Sequence, residues 1–537
     1  RRQRVLSSLT PAPMNADPLP LPPERMPDLS ALARRAVSAG AAARRCSVIA
    51  PFTGQVIGEL PCAAPEDVQA ALQRARQAQA GWASTPLAGR RRILMRFHDR
   101  VLAERERLMD LIQLEGGKAR VHAYEEVLDV AINARYYAAR ARRILGPHWR
   151  RGALPIFTRA RLYHHPVGVV GVIAPWNYPL TMAVSDAIPA LMAGNAVVLK
   201  PSEFTPYSAL NAARLLDECG LPPDVFQVVV GDGPVVGAAL AAGADFIQFT
   251  GSTVTGRAVA RIAAERLVKS SLELGGKNAA IVLDDADLRC AVPGVARAII
   301  ANGGQLCVSV ERVFVQAGIY ERFVGQLVEY LGRLRLGAAF DFSTDVGSLL
   351  SRAQLDKVQA HVSDAVTKGA RLLAGGRPRP DLGPFFFEPT LLEGVTPAMQ
   401  VYADETFGPV ASLYRVETDE EAAARANDTC YGLNADVWTG HSARGRRLAL
   451  RLQAGTVNLN ESYAASWGSI DAPMGGMKQS GLGRRHGPEG LLKYTEEQTV
   501  AEQSILPLFF LPGFSRPLLA KLLVWYLRVT KHIPPLR

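Results

Sequence analysis

Short apolar runs at 167–174, 196–199, 226–230 and 246–249 alternate with stretches at 180–193, 206–219 and 234–242 that carry a helical pattern. Strands joined by helical crossovers of that length predict a parallel sheet with right-handed connections. Ligands of such sheets bind beyond the carboxyl ends of the strands, so the loops after these runs are where chemistry is expected. The alternation restarts after residue 279, with strands expected at 279–283, 312–315 and 411–416 and helices at 319–335, 354–368 and 419–427. Ahead of both units, 67–83, 88–116 and 123–145 read as helices. The expected class is α/β with two sheet-bearing units, and 537 residues are enough for two or three cores.

Composition closes off other classes. At 48% hydrophobic and 21% charged residues, the chain is globular rather than disordered. Its net charge of +11 resides mainly at the ends: residues 1–45 hold eight arginines against three acids, and 503–537 hold five Lys or Arg against none. The body is close to neutral, so no nucleic-acid partner is expected. Residues 1–30, rich in Pro and Arg, read as a flexible leader; the first residue is Arg1, Met14 is an alternative start, and no secretory signal is visible. The charge-free run 166–185 is long enough to imitate a membrane span, but Pro175 and Pro179 divide it into strand, loop and helix. Six widely spaced cysteines with no C-x-x-C predict neither a zinc site nor disulfides, and suit a reducing, cytoplasmic location. The tail 503–537 is basic and apolar, with a helix expected from Pro517 to Lys531. Such a helix suits a membrane surface; docking onto the protein's own body or a sister subunit is the plainer expectation.

Three loops carry reactive groups. Cys307 lies in Gly304-Gln305-Leu306-Cys307-Val308-Ser309, where two glycines permit a tight turn and a thiolate nucleophile would be accessible. Alone it reads more readily as an inert core cysteine. Upstream by 34 residues, Glu273 ends a strand in Glu273-Leu274-Gly275-Gly276-Lys277-Asn278, placed as a general base for water or as a solvated turn residue. In Pro175-Trp176-Asn177-Tyr178-Pro179, the Asn177 amide is either a helix cap or a donor to an oxyanion.

With Phe249-Thr250-Gly251-Ser252-Thr253-Val254-Thr255-Gly256, Lys200-Pro201-Ser202-Glu203, Glu405-Thr406-Phe407-Gly408-Pro409 and Pro473-Met474-Gly475-Gly476, these loops resemble the aldehyde dehydrogenase superfamily in order and spacing, over roughly residues 30–500. The resemblance implies a Rossmann-like parallel-sheet cofactor domain (31–152 and 167–278), a second α/β catalytic domain (279–485), and a small β oligomerisation element (153–166 and 486–502) that builds a homodimer or homotetramer. It implies Cys307 as nucleophile, Asn177 with the Cys307 N–H as oxyanion donors, and Glu273 as the base that releases the acid. NAD or NADP would be held by Trp176, Asn177, Lys200, Pro201, Ser202, Glu203, Gly251, Ser252, Leu274, Glu405 and Phe407, with no metal. Glu203 would accept from the ribose hydroxyls and repel a 2′-phosphate, favouring NAD, while Lys200 offsets part of that repulsion.

Two positions depart from the family pattern. Asp186 stands where many members carry Lys, and Arg485 where they carry Glu; the exchange predicts that the two still pair. The stretch from Trp467 to Gly490 is similar to a succinate-semialdehyde dehydrogenase branch, which makes an aldehyde bearing a carboxylate the favoured substrate. The arginine expected six residues before the nucleophile is, however, Ala301. The alternatives are a medium- or long-chain aldehyde enzyme at a membrane surface and a catalytically silent scaffold of the same fold.

Overall fold

The structure, a computed structural model, describes residues 25–37, 44–152, 158–503, 513 and 515–532. Most of the expected leader lies outside the described residues, as do 153–157 of the expected oligomerisation element. Two sheets organise the body. The first has six strands in the order Gly481–Leu482, Lys269–Glu273, Phe246–Thr250, Val169–Ile173, Ala196–Lys200 and Phe226–Val228. All are parallel except Gly481–Leu482, which pairs antiparallel with Leu272 and Glu273. Chain order reverses between Val169–Ile173 and Phe246–Thr250, and such a switch point opens a crevice at the strand ends. Because both faces are covered by helices, the central strands Val169–Ile173 and Ala196–Lys200 are buried throughout and read as near-continuous apolar runs.

The second sheet has seven strands in the order Arg371–Ala374, Thr390–Glu393, Val410–Val416, Val310–Gln316, Asn278–Val282, Asn434–Trp438 and Thr456–Leu459. Four of these, Arg371–Ala374, Thr390–Glu393, Asn434–Trp438 and Thr456–Leu459, are absent from the sequence expectation. Asparagine is depleted in strands, yet here a buried ladder satisfies it. Asn458 Nδ2 donates to Asn434 Oδ1 at 2.9 Å and to Asp436 Oδ1 at 2.9 Å, and Thr456 donates to Asn434 Oδ1 at 2.8 Å. A three-stranded antiparallel sheet, Thr495–Gln503, Thr158–Pro166 and His148–Arg151, stands apart from both.

Four further differences have physical reasons. The helix expected over 88–116 is two, Leu87–Ala103 and Arg105–Gly116, broken at Glu104, whose carboxylate is held by Arg100 and Arg214. The second piece is buried from Leu108 to Gly116, its Asp110 and Gln113 held by Arg120 and its Glu115 by the Tyr207 and Ser208 N–H groups, so it must leave the surface line of the first. The chain rejoins the first sheet already at Gly481, ahead of the boundary expected at 485. No disulfide is expected from cysteine spacing, but Cys46 is bonded to Cys62. Antiparallel pairing of Arg45–Ile49 with Val56–Pro61 closes a hairpin and brings the two Cα atoms to 5.8 Å, within bonding range. Finally, the tail helix Arg516–Thr530 forms but does not dock onto the body as expected: Thr530 is its one buried residue. Among the described residues, no helix is long and apolar enough to cross a membrane. The run 166–185 resolves into the strand Val169–Ile173, a loop and the helix Pro179–Val184.

Candidate active site

The loops of interest leave the carboxyl ends of adjacent strands of the first sheet. Ile173 leads into Trp176 and Asn177, Lys200 ends its strand, Thr250 precedes Gly251 and Ser252, and Glu273 is the last residue of its own. Cys307 comes from the second unit, ahead of the strand Val310–Gln316, so the site lies between the two sheets.

The approach to Cys307 is a left-handed turn. Asn302, Gly303 and Gly304 have φ of 51°, 64° and 72°. At Gly304 a Cβ would sit 2.0 Å from the Gly408 carbonyl oxygen, so only glycine passes there. Asn302 tolerates its conformation because its amide donates to the Asn177 carbonyl at 2.8 Å. Lys118 Nζ donates to the same carbonyl at 2.6 Å and pairs with Glu126 at 2.5 Å, and Glu126 accepts the N–H groups of Leu180 and Thr181. The Asn177 backbone is thus fixed on two sides. Its side-chain Nδ2 donates to the Gln305 carbonyl at 2.9 Å, two residues before the cysteine. Asn278 Nδ2 holds the Cys307 carbonyl at 2.7 Å, and a Cβ at Gly276 would lie 2.5 Å from that oxygen. The segment 273–278 therefore packs directly against the Cys307 backbone. The structure brings Cys307, Asn177 and Glu273 to one place.

Electrostatics there are governed by burial. Cys307 is half-buried, and its thiol is pushed up to about 12 by burial, then by the charges of Glu273 and Glu405. Burial raises the Glu273 carboxyl to about 7 against the pull of Arg485 and Lys493, and its Oε1 has no hydrogen-bond partner. That oxygen is open to receive a water proton. Arg485 makes two bonds to Asp186, Nη2 to Oδ2 at 2.8 Å and Nε to Oδ1 at 3.2 Å, as the exchanged charges predict. Lys493 Nζ lies 3.7 Å from Asp186, and neighbouring His486, pushed down to about 3 by burial and by Arg485, stays neutral.

The expected cofactor residues divide in two. At one end, Lys200 Nζ donates to the carbonyls of Pro201 (2.7 Å) and Gly231 (2.8 Å) and lies 3.5 Å from Glu203, whose side chain remains one-third exposed. Ser202 is buried and accepts the Phe204 N–H. Ser252 caps the helix Thr253–Glu265, whose N-terminus follows Gly251 and faces solvent. At the other end, Glu405 Oε1 accepts the Gly276 N–H at 2.8 Å, Leu274 is buried under Gly256, and Trp176 meets Phe407 edge-to-face at 5.5 Å. A dinucleotide fits this layout. The exposed helix N-terminus suits its pyrophosphate, and exposed Val235 and Val254 stand at the leading turns of two packed helical segments, as apolar walls for a flat base. Among the described residues, no group of His, Cys, Asp and Glu forms a metal site.

Beyond Cys307, Leu306, Met474 and Tyr463 form an apolar wall. Tyr463 donates to Glu125 at 3.0 Å, and Arg297, paired with Glu125 at 3.0 Å, lies over the Tyr463 ring at 5.4 Å. Lys118, Asn302, Asn278 and this Glu125–Arg297–Tyr463 group escape sequence reasoning. No local pattern marks them, because their partners are remote in the chain.

The sequence profile of the aldehyde dehydrogenase family matches residues 38–500. The chain belongs to that family. A Mycolicibacterium smegmatis protein with the provisional name succinate-semialdehyde dehydrogenase, NADP(+), is 50% identical over 483 residues, covering 90% of this chain and 93% of the relative. The mitochondrial succinate-semialdehyde dehydrogenase of Arabidopsis thaliana is 40% identical over 450 residues, 83% of this chain and 84% of that one. Among solved structures, a point mutant of an aldehyde dehydrogenase from Bacillus cereus superimposes with a TM-score of 0.84 at 35% identity, covering 90% of this chain and 99% of that one. The α/β fold and an oxidoreductase activity on aldehydes follow from family membership, as does the use of NAD or NADP. The preference for NAD expected from Glu203 finds no support in these relatives, one of which has a name specifying NADP(+).

Proposed function

We propose that the enzyme oxidises succinate semialdehyde to succinate, with Cys307 as nucleophile, Asn177 as oxyanion donor and Glu273 as base. The convergence of these three groups at one turn carries the reading. At rest the thiol is neutral, and its proton passes to solvent as the half-exposed sulfur attacks. As the sulfur bonds to the carbonyl carbon, negative charge develops on the aldehyde oxygen. The Asn177 amide then exchanges the Gln305 carbonyl for that oxygen, alongside the Cys307 N–H. A bound nicotinamide cofactor supplies the hydride acceptor. Loss of the hydride from the substrate carbon leaves a thioester; Glu273 then takes a proton from the water that attacks it, and as the C–S bond breaks that proton returns to the Cys307 sulfur.

The substrate assignment rests on the relatives' names and on Arg297. That arginine lies one helical turn before Ala301 on the helix Leu288–Ile300, beside the Tyr463 wall. It is the nearby cation for a distal carboxylate. For the cofactor we propose use of both forms, with the Glu203 carboxylate limiting NADP and Lys200 offsetting it. The exposed edge strand Thr495–Gln503 supports a homo-oligomer; the nicotinamide chemistry and free nucleophilic thiol suit the cytoplasm, and the Cys46–Cys62 bond counts against it.

An aldehyde panel assayed with NAD and NADP tests this. Succinate semialdehyde should show the highest kcat/KM. Cys307→Ala should abolish turnover, and Glu273→Gln should leave a burst of reduced cofactor with steady-state turnover lowered about 10²-fold or more. Full activity of Cys307→Ala would remove the mechanism; a better medium-chain aldehyde would remove only the substrate.

A further inference from the structure

We propose that the C-terminal helix Arg516–Thr530 binds the surface of an anionic lipid membrane. The helix lies beyond residue 500, where the family match ends. One stripe, Leu519, Leu523 and Tyr526 with Thr530, is half-buried to buried. The stripe beside it, Leu518, Leu522, Trp525 and Val529, follows the same helical spacing and is 47%, 45%, 62% and 39% exposed. Four large apolar side chains in register on one helix form a contiguous patch of the kind that marks an interaction site. Lys521 and Arg528, seven residues apart, run along the open flank of that stripe.

Charge selects the occupant. Five Lys or Arg residues and no acid follow Glu502, so the segment is uniformly positive. A second copy of the chain would bring the same positive ribbon and a nearly neutral body to meet it. An anionic bilayer supplies both complements, phosphates for Lys521 and Arg528 and acyl chains for Leu518, Leu522 and Val529. Trp525 sits in register with them, and its indole is suited to the boundary. A helix of 15 residues is too short to cross the hydrocarbon layer, so it lies in the interface plane.

Flotation of the full-length protein with phosphatidylcholine vesicles, with and without phosphatidylglycerol, tests the proposal. The expected result is binding to the anionic vesicles, reduced about tenfold or more in both Lys521→Glu/Arg528→Glu and Leu522→Asp/Trp525→Asp. Circular dichroism and native mass should be unchanged, since every altered side chain is exposed. Absence of flotation, equal flotation of the variants, or equal binding to uncharged vesicles overturns it. A change of native mass in Leu522→Asp/Trp525→Asp also overturns it and assigns the stripe to a second copy of the chain. Turnover of a soluble aldehyde is independent of all these outcomes, so failure here leaves the proposed reaction standing.

Discussion

Arg485 faces both reacting groups: its charge pulls down the carboxyl of Glu273 and the thiol of Cys307, while Asp186 holds it in place. Removing one member of a buried pair strands the other charge, so the informative variant is Asp186→Asn/Arg485→Gln. Arg485 lowers the Glu273 pKa more than Asp186 raises it, so losing both should raise it. In the parent, the rate of acid release should climb as pH passes about 7, where Glu273 becomes a carboxylate. In the double variant that limb should move to higher pH, with a lower rate at neutrality. A pH–rate profile checks it, and an unmoved limb would mean that Arg485 does not tune the base. The pairing itself was legible in the sequence, because two exchanged charges at family positions imply each other. Lys118 and Glu126 were not: a lysine in a short loop and a glutamate on the helix after it look like solvated surface, and only burial makes them a brace for Asn177.

At the scale of elements, the turn Ala301–Gly304 decides where the sulfur points. Gly304→Ala sets a Cβ against backbone at φ 72° with no rotamer to relieve it. The conformation alone costs about 1–2 kcal/mol, and displacement of the nucleophile by an ångström lowers kcat/KM about 10²-fold. Steady-state kinetics with a thermal melt would separate the two effects. The Cys46–Cys62 hairpin makes a second prediction: thiol titration of the denatured protein should count four groups before reduction and six after. Six throughout would leave the hairpin unbridged. The strands ending at Lys200 and Thr250 were readable because a parallel, doubly covered sheet demands unbroken apolar runs. Asn434–Trp438 was not, since its asparagine is satisfied by a ladder from a neighbouring strand, and side-chain partners do not show in a linear pattern. The hairpin disulfide was missed for the same reason, as closure of a loop is invisible in cysteine spacing.

Over the whole molecule, the strand Thr495–Gln503 leaves the body as an exposed edge, eight of its nine residues open to solvent. Ala501→Pro removes an N–H and disfavours strand geometry there. If this edge joins subunits, sedimentation should show a loss of oligomer with the monomer still folded; an unchanged mass places the interface elsewhere. The two-sheet division was legible from the restart of the pattern at 279, but the crossing of the chain back to the first sheet was not. That crossing sets a constraint on biosynthesis. The rim on which Glu273 sits is zipped against Gly481 and Leu482, more than 200 positions later in the chain. A nascent polypeptide can therefore close most of the first sheet early, but the Glu273 carboxylate waits in an unfinished seam until the ribosome has delivered the segment at Gly481.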